Sequence, residues 1–126
     1  MTTLVLTYDQ ALASLQKAVE DRGADFVYPA EWLSPAGACL NFDPNTGEPR
    51  CIAGYVYHLN GKEYEQGWTS STVSSLSLAG KLVADERTVT LLTYAQCAQD
   101  DHKTWGEALE IALQAVADLD ARKAQR

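Results

Sequence analysis

Two copies of one helix-start signature constrain this chain more than any other feature. Thr7-Tyr8-Asp9-Gln10 and Thr104-Trp105-Gly106-Glu107 each set a hydroxyl three residues before a Gln or Glu. In such a capping box the hydroxyl accepts the N3 backbone N–H, and the N3 side chain reaches back to the N-cap N–H. An apolar stripe at helical spacing follows each box. Ala11, Leu12, Leu15, Ala18 and Val19 follow the first. Trp105, Ala108, Leu109, Ala112, Leu113, Val116 and Leu119 belong to the second. The spacing predicts helices over residues 8–22 and from Thr104 to near Arg122. Gly23 suits a left-handed cap on the first. Arg122, Lys123 and Arg126 suit the negative end of the second.

Two further segments are punctuated in the same way. Pro49 opens and Gly61 closes a run containing Ile52, Tyr55, Val56 and Leu59, which predicts a helix over 50–60. A strand competes there, because Tyr55, Tyr57 and Leu59 alternate. Gly54 would cost a helix about 1 kcal/mol against alanine, which points to close packing against another element. Val89, Leu92, Ala95 and Gln96 predict a helix over 86–99, broken at Asp100-Asp101-His102-Lys103. So short a turn makes the last two helices an antiparallel hairpin.

Phe26-Val27-Tyr28 is β-prone and stopped by Pro29. Residues 29–38 read as loop, 38–42 as a strand, and Asp43-Pro44-Asn45-Thr46-Gly47 as a tight turn. Residues 61–85 carry the least pattern, with Trp68 in a polar loop and a short helix from Ser74 to Leu78 before Gly80. The fold expected is α+β and helix-rich. One domain over 1–126 holds three to four helices and a small β-hairpin or short antiparallel sheet within 26–42.

Length and charge set the class. A chain of 126 residues buries about two-thirds of its unfolded surface without a staple. Its 17 acids against 10 bases give a net charge of −7, the opposite of what binding a phosphate backbone requires. Cys39, Cys51 and Cys97 are an odd number of thiols. The first residues lack the basic start and long apolar run of a secretory signal, and no segment reaches membrane-span length. The expected setting is a reducing cytoplasm, with no membrane and no direct nucleic-acid partner.

Cys51 is the sharpest chemical candidate, since a helix N-terminus lowers a thiol pKa. His58 lies two turns on, about 10 Å along the axis, too far to serve as its base. His102, oriented by Asp100 or Asp101, is the alternative base. Against this, free cysteine is among the most buried residue types. Cys39, Cys51, Cys97, His58 and His102 lack the paired spacing of zinc ligands, so no metal is expected. Asp100, Asp101 and Glu107 could meet a cation or basic partner, or simply complement a helix dipole. Trp32, Tyr55, Tyr57, Tyr64 and Trp68 cluster mid-chain, and Trp and Tyr are favoured interface anchors. Trp68, Trp32 and Tyr64, with Asp100 and Asp101, form the expected binding set. Trp68 is its exposed anchor, unless that loop folds back onto the core. No phosphate loop is present and no cofactor is expected.

The order of motifs is familiar. Arg22-Gly23-Ala24-Asp25 leads into Val27-Tyr28-Pro29, and Cys51-Ile52-Ala53-Gly54 follows Pro49. Ala95-Gln96 comes with Gln99-Asp100, and Trp105-Gly106 with Ala108. Outside residues 60–85 this resembles a group of small uncharacterised proteins encoded by phages of actinobacteria. The resemblance implies a phage gene product in the host cytoplasm, and small phage accessory proteins commonly bind and modulate host proteins. The function expected is therefore a non-enzymatic phage accessory protein that binds a host or phage protein. Two alternatives stand beside it. One is a small cysteine-dependent hydrolase using Cys51 and His102. The other is an acidic inhibitor of a host nucleic-acid-binding enzyme, for which the even spread of acids (8 in residues 1–63, 9 in 64–126) gives no support.

Overall fold

The computed structural model describes residues 3–35, 37 and 39–125. In chain order the elements are β1 (Leu4–Val5), α1 (Tyr8–Arg22), a 3-10 turn (Ala30–Trp32), α2 (Ile52–Leu59), a second 3-10 turn (Gln66–Trp68), α3 (Val73–Leu78), β2 (Leu82–Val83), α4 (Glu86–Asp100) and α5 (Trp105–Ala124). Both capping boxes form. Thr7 accepts from Gln10 N at 3.1 Å and Thr104 from Glu107 N at 3.1 Å, each with the return bond in place. α2 is a helix, not a strand. Gly23 takes φ +99° with an extended ψ of 144°, so it reverses the chain without entering the left-handed helical region.

α4 and α5 make the most extensive helix pair, and α1 lies across α2, α4 and α5. Leu15, Phe42, Ile52, Val56, Tyr57, Trp68, Leu76, Leu91, Leu92, Trp105 and Val116 meet in one contiguous core. Near the open end of the α4–α5 hairpin, Arg87 bridges to Asp120 and Glu86 to Lys123.

The molecule is helix-rich, but its sheet and helix number differ from expectation. Five α-helices are present among the described residues. Among the described residues of 26–42 no antiparallel hairpin forms. The sheet is a two-stranded parallel pair, β1 against β2, in register Leu4↔Leu82 and Val5↔Val83. Leu4 and Leu82 turn inward while Val5 and Val83 face out, the period of two expected of strands. In the anticipated hairpin the backbone groups are spent elsewhere. Leu40 N donates to the Tyr28 hydroxyl at 3.1 Å and Asn41 N to Thr69 O at 2.6 Å. One antiparallel bridge, Phe42↔Pro49, remains beside the Asp43–Gly47 turn. Ala38, at one end of the expected strand, and Arg126 lie outside the described residues.

Trp68 is not an exposed anchor. Its residue is 0% exposed, because the 3-10 turn folds the indole inward, edge-on to Tyr57 with centroids 5.2 Å apart. Asn41 Nδ2 ties this loop down by donating to Trp68 O at 2.7 Å and Ser71 O at 2.8 Å. Lys62, itself buried and paired with Glu65, sets its ammonium 4.5 Å from the indole centroid.

Candidate functional site

The motif segments of the sequence converge on one place, the start of α2 and the end of α1. A helix leaves its first four N–H groups without intrahelical partners. Here those of α2 are closed from inside the protein. Gln99 Oε1, on buried Gln99 of α4, accepts from Ile52 N at 2.7 Å. Gln96 Oε1 accepts from Ala53 N at 3.3 Å. Cys51 is the N-cap, and its Sγ accepts from Gly54 N at 3.3 Å while the thiol donates to Asn41 Oδ1 at 2.9 Å. Leaving one such buried N–H without a partner costs about 1–3 kcal/mol. α5 is closed in the same manner, with Trp105 N donating to Phe26 O at 2.8 Å and Gly106 N to Ala24 O at 2.9 Å. Gly106 is required there, since a Cβ would stand 2.9 Å from that same Ala24 oxygen.

This closure decides the chemistry of Cys51. The residue is 1% exposed, and burial pushes its thiol up to about 12 against the small opposing help of the Gly54 N–H. A group so shifted stays a neutral thiol across the physiological range, and no imidazole bonds to it among the described residues. The Cys51–His102–Asp100 grouping of the hydrolase alternative is not brought together by hydrogen bonds among the described residues. Asp100 instead accepts from the Cys39 thiol at 2.8 Å and from Gln96 Nε2 at 2.9 Å. His102 is exposed in the α4–α5 turn with φ +62°. It lines a small cavity with Tyr28, Cys39, Gln99 and Asp100. Cys39 is also held as a thiol, pushed up to about 12 by burial and then by the Asp100 carboxylate. No three His, Cys, Asp or Glu side chains gather in a metal-binding group among the described residues.

Arg22, the last residue of α1, organises the opposite side of the α2 start. Its guanidinium donates to Pro49 O at 2.6 Å and to Arg50 O. Four aromatic rings surround it: Tyr55 at 4.7 Å, Trp105 at 4.9 Å, Trp32 at 5.0 Å and Phe26 at 5.4 Å from ring centroid to Cζ. Ring quadrupoles attract a cation on their faces, more strongly where water is excluded. Desolvation lowers the Arg22 pKa, yet a guanidinium stays charged in proteins. No carboxylate pairs with Arg22 among the described residues. Beside it Arg50 donates to Trp32 O at 3.1 Å and to Asp43 Oδ2 at 3.0 Å. The Asp43 carboxyl sits below its usual range, chiefly through the Asn45 backbone N–H.

Arg22 opens on a cleft of about 540 Å³, lined also by Thr46, Gly47, Glu48, Pro49, Tyr55 and His58. Across the Glu48-Pro49 ridge a second hollow of about 260 Å³ adds Trp32, Asp43 and Arg50. Of the expected binding residues, Trp32 belongs to this face. Tyr64 packs edge-on to Phe42, 6.5 Å between centroids. Asp101 stands exposed at the α4–α5 turn. Sequence reasoning missed Arg22, Glu48 and Arg50 as site residues. The available signal was a pair of arginines in a chain of acidic balance, both within motif segments. No helix among the described residues is long and apolar enough to cross a membrane. Comparison with family models, with curated proteins and with solved structures returned no match.

Proposed function

We propose that this is a non-enzymatic accessory protein, of the phage kind its motif order resembles, which binds a host or phage protein through the Arg22 face. One observation carries the reading. Arg22 and Arg50 are held by backbone carbonyls and Tyr55 by Asp21, and with Trp32 they line two adjoining hollows that share Arg22. Trp, Tyr and Arg are the residue types that dominate binding energy at protein interfaces. Holding them in place before binding lowers the ordering entropy that association must overcome. The thiols point the same way, since Cys51 and Cys39 are both kept neutral by their surroundings. Acids in ion pairs (Asp21 with Lys17, Asp43 with Arg50, Asp120 with Arg87) argue against a bare acidic face that mimics nucleic acid.

His58 and Glu48 line the cleft yet are exposed and outside the cage. The double variant His58→Ala/Glu48→Lys should keep the melting temperature within a few degrees, as surface changes do. In an affinity pull-down from host lysate it should lose the partner that the parent protein retains. Equal retention of that partner by the variant would refute this face as the contact surface.

A further inference from the structure

We propose that the Asn60-Gly61 junction at the end of α2 is a site of spontaneous deamidation that the fold holds latent. Asparagine followed by glycine is the most labile asparagine pair in an open chain, because no Cβ shields the glycine nitrogen and its backbone turns freely. Of the chain's three asparagines, Asn41 precedes Phe42 and Asn45 precedes Thr46, so Asn60 alone has that neighbour. In the reaction the Gly61 nitrogen attacks Asn60 Cγ. A new C–N bond closes a five-membered succinimide, the Cγ–Nδ2 bond breaks, and ammonia leaves with the proton of the Gly61 N–H. Solvent water then opens the ring at either carbonyl, giving aspartate or isoaspartate. Water is the only co-reactant.

The native geometry restrains each participant in that step. Gly61 takes φ +89° and its N–H donates to His58 O at 3.0 Å, while Lys62 N donates to Tyr57 O at 3.0 Å. These two bonds close α2 as a Schellman motif, and they engage the nitrogen that must be freed for attack. The leaving amide is held as well, since Asn60 Nδ2 donates to Val56 O and to Ser14 Oγ, both at 2.8 Å. Ser14 belongs to α1, so this side chain also ties the end of α2 to its neighbour. Attack therefore waits on local opening of the α2 end, and such openings cost less than unfolding the whole domain. Once it happens the conversion is one-way. A carboxylate in place of the amide loses both donations, faces the Val56 carbonyl, and sits at the negative end of the helix dipole. Isoaspartate further lengthens the main chain by a methylene within the motif. A reversible opening thus becomes a permanent loss of stability at the end of α2.

Peptide mapping by mass spectrometry tests this on the full chain. Tryptic cleavage after Arg50 and Lys62 yields the peptide 51–62, in which Asn60 is the only asparagine or glutamine. The chain is held in buffer and in guanidinium chloride at the same mildly alkaline pH and temperature, and the small mass gain from amide to acid is followed in time. In denaturant Asn60 should convert ahead of Asn41 and Asn45. In buffer Asn60 should convert at least about tenfold more slowly than in denaturant. Ser14→Ala removes one hold on the amide, and the folded variant should convert about two- to tenfold faster than the folded parent. Asn60→Asp installs the aspartate product directly and should melt at least about 5 °C below the parent. Equal rates in buffer and denaturant, conversion of Asn41 or Asn45 ahead of Asn60, a rate unmoved by Ser14→Ala, or an Asn60→Asp variant as stable as its parent would each overturn the proposal.

Discussion

Alanine at Gly54 should destabilise the protein severely. In most helix interiors the same exchange stabilises by about 1 kcal/mol, because glycine has the freer backbone. Here the sign reverses. A Cβ on Gly54 would fall on the backbone of Asn41, 2.7 Å from its carbonyl carbon and 2.8 Å from its Cα. That carbonyl is not free to yield, since it accepts from Arg50 N at 2.9 Å while the Asn41 amide nitrogen donates to Thr69 O. The Asn41 side chain also holds Cys51 and the Trp68 loop. The clash therefore spreads into the α2 start and the loop at once. A loss of about 3–5 kcal/mol is expected, a large share of the 5–15 kcal/mol typical of a whole domain. Urea denaturation measures it. A variant as stable as its parent would show that α2 does not lie against residues 40–42.

Trp68→Ala should have an effect of similar size, at about 3–5 kcal/mol. The indole is wholly buried against Tyr57 and under the Lys62 side chain. Its removal opens a cavity and leaves the Lys62–Glu65 pair against a void. Trp68→Phe should recover much of the loss, because the indole Nε1 has no hydrogen-bond partner to forfeit. A tryptophan that served as an exposed anchor would behave in the opposite way, with the melting temperature unchanged by alanine. The melting temperatures of the two variants separate these cases.

The helices were legible because each is punctuated locally. Capping boxes at Thr7 and Thr104, and an apolar stripe after each, place α1 and α5 with no tertiary information. Pro49 and Gly61 did the same for α2 despite its β-prone composition. The parallel pair β1–β2 was not legible. Two residues are too few to display a period, and a parallel partner 78 positions away follows only from the packing of everything between. The inward turn of Trp68 was hidden for a related reason: its loop is polar in sequence, and the Asn41 bonds that tie it down come from a distant part of the chain. The site was half visible. Gln96, Gln99, Cys51 and Gly54 stood out as motif residues, but their joint role at the start of α2 is a tertiary fact. The Arg22 cage was invisible because its rings come from four separate segments.

The binding role proposed above rests on a Cys51 thiol that is sealed from solvent at the start of α2. Time-resolved iodoacetamide labelling, read residue by residue by mass spectrometry, tests it most directly. In the native protein at neutral pH, exposed Cys97 should label fast, Cys39 slowly, and Cys51 only after denaturant is added. Prompt modification of Cys51 in the folded protein, rising through a titration below its ordinary thiol pKa, would contradict it.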